Sequence, residues 1–259
     1  MKLDLHNLFG LLTSKKTTIL LWLSVVFFTL AGSSEVSAQQ KYAKTYPASK
    51  NVRLQLTNRT GTVTVEGWNR SEVAISAYLE KPAANIVPQS LSGIIVINVV
   101  KDNQGRNEVG NVNLHIRVPY TSTVDIETIM GNLNVSNIQG NHIRAHISSE
   151  GDITLLNIGS AAVIAENGIG DIFFDGEIQR GGNYRFTSMR GRINLRIPFE
   201  SSFKLVATAP STRSIDLGSF SNGNMNFVGN GRRIVGKVGD GSATLTATNQ
   251  RGSITFFRR

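Results

Sequence analysis

The sequence predicts an all-β protein: a single-stranded β-solenoid of the β-helix or β-roll kind, with an N-terminal β region capping it. Three observations lead there. First, a glycine followed by an alternating strand recurs, as Gly131-Asn-Leu-Asn-Val135, Gly151-Asp-Ile-Thr-Leu155, Gly170-Asp-Ile-Phe-Phe174, Gly191-Arg-Ile-Asn-Leu195 and Gly252-Ser-Ile-Thr-Phe256. The first four begin 20, 19 and 21 residues apart, and a steady period of this size marks stacked coils that bury their apolar faces on one another. Second, no window beyond the first forty residues carries a helical period of apolar residues. Third, 40% of residues are hydrophobic and 17% charged, with Gly 25 against Pro 6. That is too apolar for a disordered chain and rich in turn formers.

Residues 1–38 have the layout of an export signal. Lys15 and Lys16 close a polar start, and Ile19 to Leu30 is an apolar run of 12 residues. A membrane-spanning helix needs roughly 20, so an uncleaved anchor is the lesser reading. Val36 and Ala38 supply small residues for a cut before Gln39. The chain has no cysteine, which removes disulfides, a lipidated cysteine and any thiol nucleophile. Stability has to come from burial and from strand ladders.

Residues 39–120 read as the capping β region. Val52 to Leu56, Thr62 to Glu66 and Val73 to Ala77 alternate, with Asn58 to Gly61 and Gly67 to Asn69 as turns between them. These are strand and hairpin signals. Lys81 to Ser92, with Pro82 and Pro88, reads as a loop. Ile94 to Val100 is a continuous apolar strand, Lys101 to Gly110 a polar turn, and Val112 to Val118 alternates again.

Residues 121–259 hold the repeats. Val124/Ile126, Val163/Ala165, Tyr184/Phe186 and Leu245/Ala247 sit seven and five residues before their glycines, and Ile143/Ala145/Ile147 does so with one residue of slip. These positions, and the two alternating apolar residues after each glycine, should point inward. Thr128, Asn167, Ser188 and Asn249 stand three residues before a glycine and should form a polar corner that bonds the turning backbone. The glycine itself supplies either a positive φ or a close coil approach. Phe203 to Leu217 fits a partial coil with Ser214 in the glycine place. Residues 218–242 are glycine-rich and read as a loop or degenerate coil.

The formal charge is +9. Lys2, Lys15 and Lys16 against Asp4 and Glu35 place one unit of it in the leader, so the rest of the chain keeps about +8. In an exported protein the counterparts of that charge are anionic polysaccharide or the lipid headgroups of the envelope surface, not nucleic acid, and the alternative is a solvated basic surface without a dedicated partner.

Candidate chemistry is sparse. By register, Asp125, Arg144, Ile164 and Arg185 form one outward row, and Glu127, His146, Glu166 and Thr187 the next. These are expected as stacking ion pairs. Asp152 and Asp171 share the slot after the glycine, where paired carboxylates could hold Ca²⁺ or act as acid and base, but Arg192 follows them there. His142 and His146 flank Arg144, which would repel a metal, and His115 is the one further histidine after residue 38. Gly231 to Lys237 imitates a phosphate loop but lacks the Ser or Thr that would ligate Mg²⁺. No catalytic, cofactor or metal residues are assigned.

The pattern resembles a known family. Val52-Arg-Leu-Gln-Leu-Thr-Asn58 running into Gly61-Thr-Val-Thr-Val-Glu-Gly-Trp68 is similar to its opening. Val112-Asn-Leu-His-Ile-Arg-Val-Pro119, Val124-Asp-Ile-Glu-Thr128 and Gly131 resemble the entry to its repeats. Gly236-Lys-Val-Gly-Asp-Gly241 and the last coil resemble its close. This is the bacterial putative-adhesin family of β-strand-repeat proteins, related to the head GIN domains. The resemblance implies an extracytoplasmic β-solenoid without assigned catalytic residues. The expected function is a non-enzymatic exported adhesin or envelope-binding module using basic stacked faces. Its ligand-binding residues are expected in the glycine-rich stretch, at Arg232, Arg233 and Lys237. Two alternatives remain: a carbohydrate-active lyase or hydrolase using Asp152, Asp171 and Arg192, and a periplasmic scaffold of a membrane signalling system.

Overall fold

The computed structural model describes residues 40–222 and 224–259. The export signal expected over residues 1–38, with its cut before Gln39, lies outside them. Strands form wherever apolar and polar residues alternate, because that period puts one face on a core and the other in water. The chain begins with β1 (Gln40–Pro47), β2 (Arg53–Asn58), β3 (Val63–Trp68) and β4 (Glu72–Leu79). β5 (Gln89–Leu91), β6 (Ile94–Asn98), a helical turn α1 (Val99–Asp102) and β7 (Val112–Pro119) follow. The repeats then give β8 (Thr123–Met130), β9 (Leu133–Ser136), β10 (His142–Glu150), β11 (Ile153–Ile158), β12 (Ala162–Ile169), β13 (Ile172–Gly176), β14 (Asn183–Arg190) and β15 (Ile193–Ile197). β16 (Phe203–Thr208), β17 (Ile215–Asp216), β18 (Asn224–Val228), β19 (Arg233–Val238), β20 (Ala243–Asn249) and β21 (Ile254–Arg258) complete the chain.

The protein is all-β, with two long mixed sheets. One runs β1-β4-β7-β3-β9-β11-β13-β15-β21-β17, the other β18-β19-β16-β20-β14-β12-β10-β8-β2-β6-β5. The strand before each glycine enters the second sheet and the strand after it enters the first. Neighbouring repeats pair parallel and in register: Val124, Ile143, Val163, Tyr184 and Leu245 align, as do Leu133, Ile153, Ile172, Ile193 and Ile254. All ten are fully buried. The inward positions read from the sequence are therefore the core. It turns aromatic toward the end of the stack, where Phe203, Phe220 and Phe256 lie 5.8 to 6.3 Å apart between ring centres.

The glycine corner answers both demands at once. Gly131, Gly151, Gly170 and Gly191 have φ of +106°, +149°, +134° and +134°. A Cβ on Gly151, Gly170 or Gly191 would lie 2.0 to 2.1 Å from the carbonyl oxygen of the preceding glycine in the column. The polar corner acts on those same carbonyls. Asn167 Nδ2 donates to Gly151 O at 2.7 Å, and Asn249 Nδ2 to Gly191 O at 2.8 Å. The slip in β10 is a register shift between Ile147 and Glu150. It brings buried Ile147 into line with Thr128 and Asn167, so this one corner is apolar.

Several expectations need correction. Asn58 to Gly61 is not a hairpin turn. β2 and β3 lie in different sheets and pair parallel with β8 and β9. Gly61 has φ +106° and belongs to the glycine column. Residues 39–120 thus supply two levels of the stack as well as closing strands, and neither sheet breaks at residue 120. The strand expected over 94–100 stops at Asn98, whose side chain accepts the Lys101 N–H and starts α1. The loop expected over 81–92 contains β5. Residues 218–242 hold a 3-10 turn, Gly218–Phe220, and the antiparallel hairpin β18–β19.

Level order also departs from chain order at both ends. β2–β3 sits between β6–β7 and β8–β9, and β20–β21 sits between β14–β15 and β16–β17. Antiparallel strands then close the stack: β4 and β1 on β7, β5 on β6, and β19 and β18 on β16.

Gly170→Ala adds a methyl group against backbone and demands a positive φ, so it should cost about 2 kcal/mol or more. Gly159→Ala meets only the Gln139 chain, its nearest atom 3.5 Å from the added Cβ, and should stay within about 0.5 kcal/mol. Urea unfolding of the two variants checks the difference.

Candidate functional site

The outward face of the second sheet divides into two chemically distinct halves. In the half from β8 to β12, the expected rows are present. Asp125 aligns with Arg144, Ile164 and Arg185, and Glu127 with His146, Glu166 and Thr187. Arg144 Nη1 lies 3.2 Å from Asp125 and 3.5 Å from Glu127, while Arg53 reaches Asp125 from β2 at 3.5 Å. Burial works against the Arg144 charge, but its bonds to Asp125 and the Glu127 charge raise its pKa. His146 Nδ1 stands 3.4 Å from Glu166. These carboxylates are matched one level away, as cross-strand pairs worth about 0.2–1 kcal/mol each.

The other half runs β14, β20, β16, β19 and β18, and these five strands contain no Asp or Glu. They carry Arg185, Arg190, Lys204, Arg233 and Lys237, none of which takes part in an ion pair among the described residues. Register brings Lys237 beside Lys204, Lys204 beside Thr244, and Thr246 beside Arg185. Thr208, Thr244, Thr246, Thr248 and Thr187 fill the space between the cations. Asn224 and Asn226 extend the face on β18, opposite Lys237 and Val235. The result is a surface without carboxylates on its strands, made of guanidinium, ammonium, hydroxyl and amide groups around the half-buried pair Val206 and Val235.

Of the residues singled out in the sequence, Arg233 and Lys237 stand on this face, both exposed on β19. Arg232 is exposed in the adjoining turn, its N–H bonded to Gly229 O and its own carbonyl accepting the Ala209 N–H. Lys204 was missed, and Arg185, counted in an outward row of expected ion pairs, was not linked to this face. In the chain they lie about thirty to fifty residues from Lys237, and only the displaced level β16–β17 brings them together. A lysine on an isolated outward position carries no local signal.

Asp152 and Asp171 serve the stack. Asn132 Oδ1 accepts the Asp152 N–H at 2.9 Å, Asp152 Oδ1 the Asp171 N–H at 2.7 Å, and Asp171 Oδ1 the Arg192 N–H at 2.8 Å. Arg192 also donates from Nε and Nη2 to Asp171 Oδ2, at 2.9 and 2.7 Å. Partial burial would raise the Asp171 pKa, but the Arg192 side chain, N–H and charge hold it below its ordinary 3.8. A general acid needs the opposite shift. The histidines do not converge. His115 lies on β7 of the first sheet, 3.7 Å from Glu66, and His142 and His146 lie on β10 of the second. Among the described residues no cluster of His, Cys, Asp or Glu could hold a metal ion, and no helix is long and apolar enough to cross a membrane.

Two mixed sheets joined through a column of corner glycines suit the family resemblance. A family model described as Toastrack DUF4097 matches residues 31–256. The chain belongs to that family. Among solved structures, a putative cell adhesion protein from Clostridium sporogenes is similar in fold. It is 10% identical, with a TM-score of 0.51 over 85% of this chain and 100% of that one. A putative adhesin from Bacteroides fragilis is 8% identical, with a TM-score of 0.35 over 86% and 99%. No curated protein matches the sequence. The Toastrack family chain described here therefore shares its fold with an adhesin-like protein, at an identity that speaks for fold alone.

The Asp171 carboxylate gives a pH prediction. Its folded pKa is depressed, so its contribution is present above the ordinary value near 3.8 and is lost as pH falls below it. Wild type should lose urea resistance on acidification through that window. Asp171→Asn should begin lower at neutral pH and fall less steeply across it.

Proposed function

We propose that the chain is an exported, non-enzymatic, adhesin-like module of β-solenoid type. It holds anionic polysaccharide of a cell envelope against the acid-free half of its second sheet. The observation that carries this reading is the charge division of that sheet. One half sets Asp125 and Glu127 against Arg144, and the other presents Arg185, Lys204, Arg233 and Lys237 with no carboxylate on its strands. Uronate or sulfate groups along an extended polymer suit separate cations spaced by hydroxyls, which can bond sugar oxygens. The absence of a converging acid–base pair in the Asp152, Asp171 and Arg192 slot supports binding over turnover. The apolar run at residues 19–30 and the adhesin-like neighbours support export and a location outside the cytoplasm.

Exposed cations act through solvent, so binding should weaken steeply with salt and vanish near 0.5 M, where the screening length is ~4 Å. The combined variant Lys204→Glu, Arg233→Glu, Lys237→Glu should lower affinity for alginate at least about tenfold at low salt. Lys41→Glu, Lys44→Glu, Lys101→Glu changes the net charge equally but leaves this face intact, and should retain most of the binding. Equal losses in the two variants, or no alginate binding at low salt, would sink the reading. Neutral dextran serves as the blank.

A further inference from the structure

The stack leaves four sheet edges among the described residues: β1 and β17 in the first sheet, β5 and β18 in the second. A sheet edge is a row of unpaired N–H and C=O groups that another strand can join. Proteins blunt such edges with short strands, lysine or proline. Three of the four are blunted. β1 carries Lys41, Lys44 and Pro47, β17 has two residues, and β5 has three. β18 is different. It has five residues, none charged and none proline, and its one strand neighbour is β19. Phe227 on it is 68% exposed.

From this edge we infer that β18 is a docking edge for a partner protein, which adds an extended segment of alternating apolar and acidic residues antiparallel to it. The side chains set that pattern. Met225 and Phe227 are in register with Gly236 and buried Ile234, so they point toward the core side and form an apolar shelf beyond the last covered strand. An incoming strand must place apolar side chains over that shelf. Its alternate side chains fall on the other face, beside Asn224 and Asn226, with Lys237 and Arg233 one strand further on. Those positions favour carboxylates. A second copy of this chain fits less well. Pairing β18 with itself would set two acid-free, cationic faces side by side, and the chain's other long edge, β1, carries lysines. This site borders the polysaccharide face and shares Arg233 and Lys237 with it, but it does not depend on polysaccharide binding, since it pairs main-chain groups that a polysaccharide lacks.

The test uses the full chain and a fluorescent alternating valine–glutamate peptide with blocked ends, read by anisotropy. Two further forms carry N-methyl groups, one on every valine nitrogen and one on every glutamate nitrogen. All valine N–H groups point to one edge of an extended strand and all glutamate N–H groups to the other. Antiparallel addition to one edge therefore predicts that one methylated form binds like the parent and the other at least tenfold more weakly. Phe227→Lys should weaken the parent peptide at least tenfold while leaving the thermal unfolding midpoint unchanged, because Phe227 is mostly solvated already. Equal binding of the two methylated forms would mean mere charge attraction and would overturn the inference. So would indifference to Phe227→Lys, absence of binding, or a dimer of the chain itself that Phe227→Lys dissolves.

Discussion

The structure depends on one contact, repeated: a glycine α-carbon resting on the carbonyl oxygen of the glycine one level away. No side chain fits between those backbones, and the positive φ there turns the chain from one sheet to the other. Once that column is set, the rest is constrained. The level spacing becomes a strand spacing of about 4.8 Å. Corner side chains reach the same carbonyls, Asn167 that of Gly151, Ser188 that of Gly170 and Asn249 that of Gly191, while Thr128 bonds Arg59 O and Met130 O. The residue after each glycine lies beside its counterpart, which is why Asn132, Asp152 and Asp171 can each cap the next N–H. Arg192 ends that series because a guanidinium accepts nothing.

Stacking also governs where charge can be spare. Parallel, in-register levels place like positions on top of one another, so a carboxylate needs a cation one level away. Asp125 and Glu127 meet that need with Arg144, and Glu166 faces the His146 imidazole. In the later levels threonine takes over the outward positions of β20 and parts of β14 and β16. With no carboxylates to match, the arginines and lysines of that half keep their charge available. The cationic half is thus a by-product of two solutions to the same stacking problem, placed at opposite ends of one sheet.

The displaced outer levels explain how the ends are closed. At each end the level added last in space comes from inside the chain: β6–β7 lies outside β2–β3, and β16–β17 outside β20–β21. A terminal strand held between two levels has partners on both sides and cannot fray alone. The outer levels are in turn covered by antiparallel strands: β4, β5, β18 and β19 come from the segments that make the detour, and β1 from the chain ahead of β2. The outermost of them are the lysine-bearing β1 on the first sheet and, on the second at the C-terminal end, the uncharged β18.

Much of this fold is legible in the residues because its signals are local. Period-two alternation names the inward set, glycine spacing names the corners, and Thr128, Asn167, Ser188 and Asn249 name the polar ladder. Even the outward rows Asp125 to Arg185 and Glu127 to Thr187 follow from counting. Three things required the tertiary structure. Asn58 to Gly61 looks like a hairpin turn, since a corner between two sheets and a turn within one use the same residues. The hairpin β18–β19 is hidden in a glycine-rich stretch, where β18 owes its place to pairing with β19 more than to burial. The cationic face needs Lys237 beside Lys204 and Arg185 two strands further on, an order set by β19 pairing with β16 and by β20 standing between β16 and β14. Local sequence carries the shape of one level; which level lies on which is decided by long-range strand pairing, and the candidate site exists only through that order.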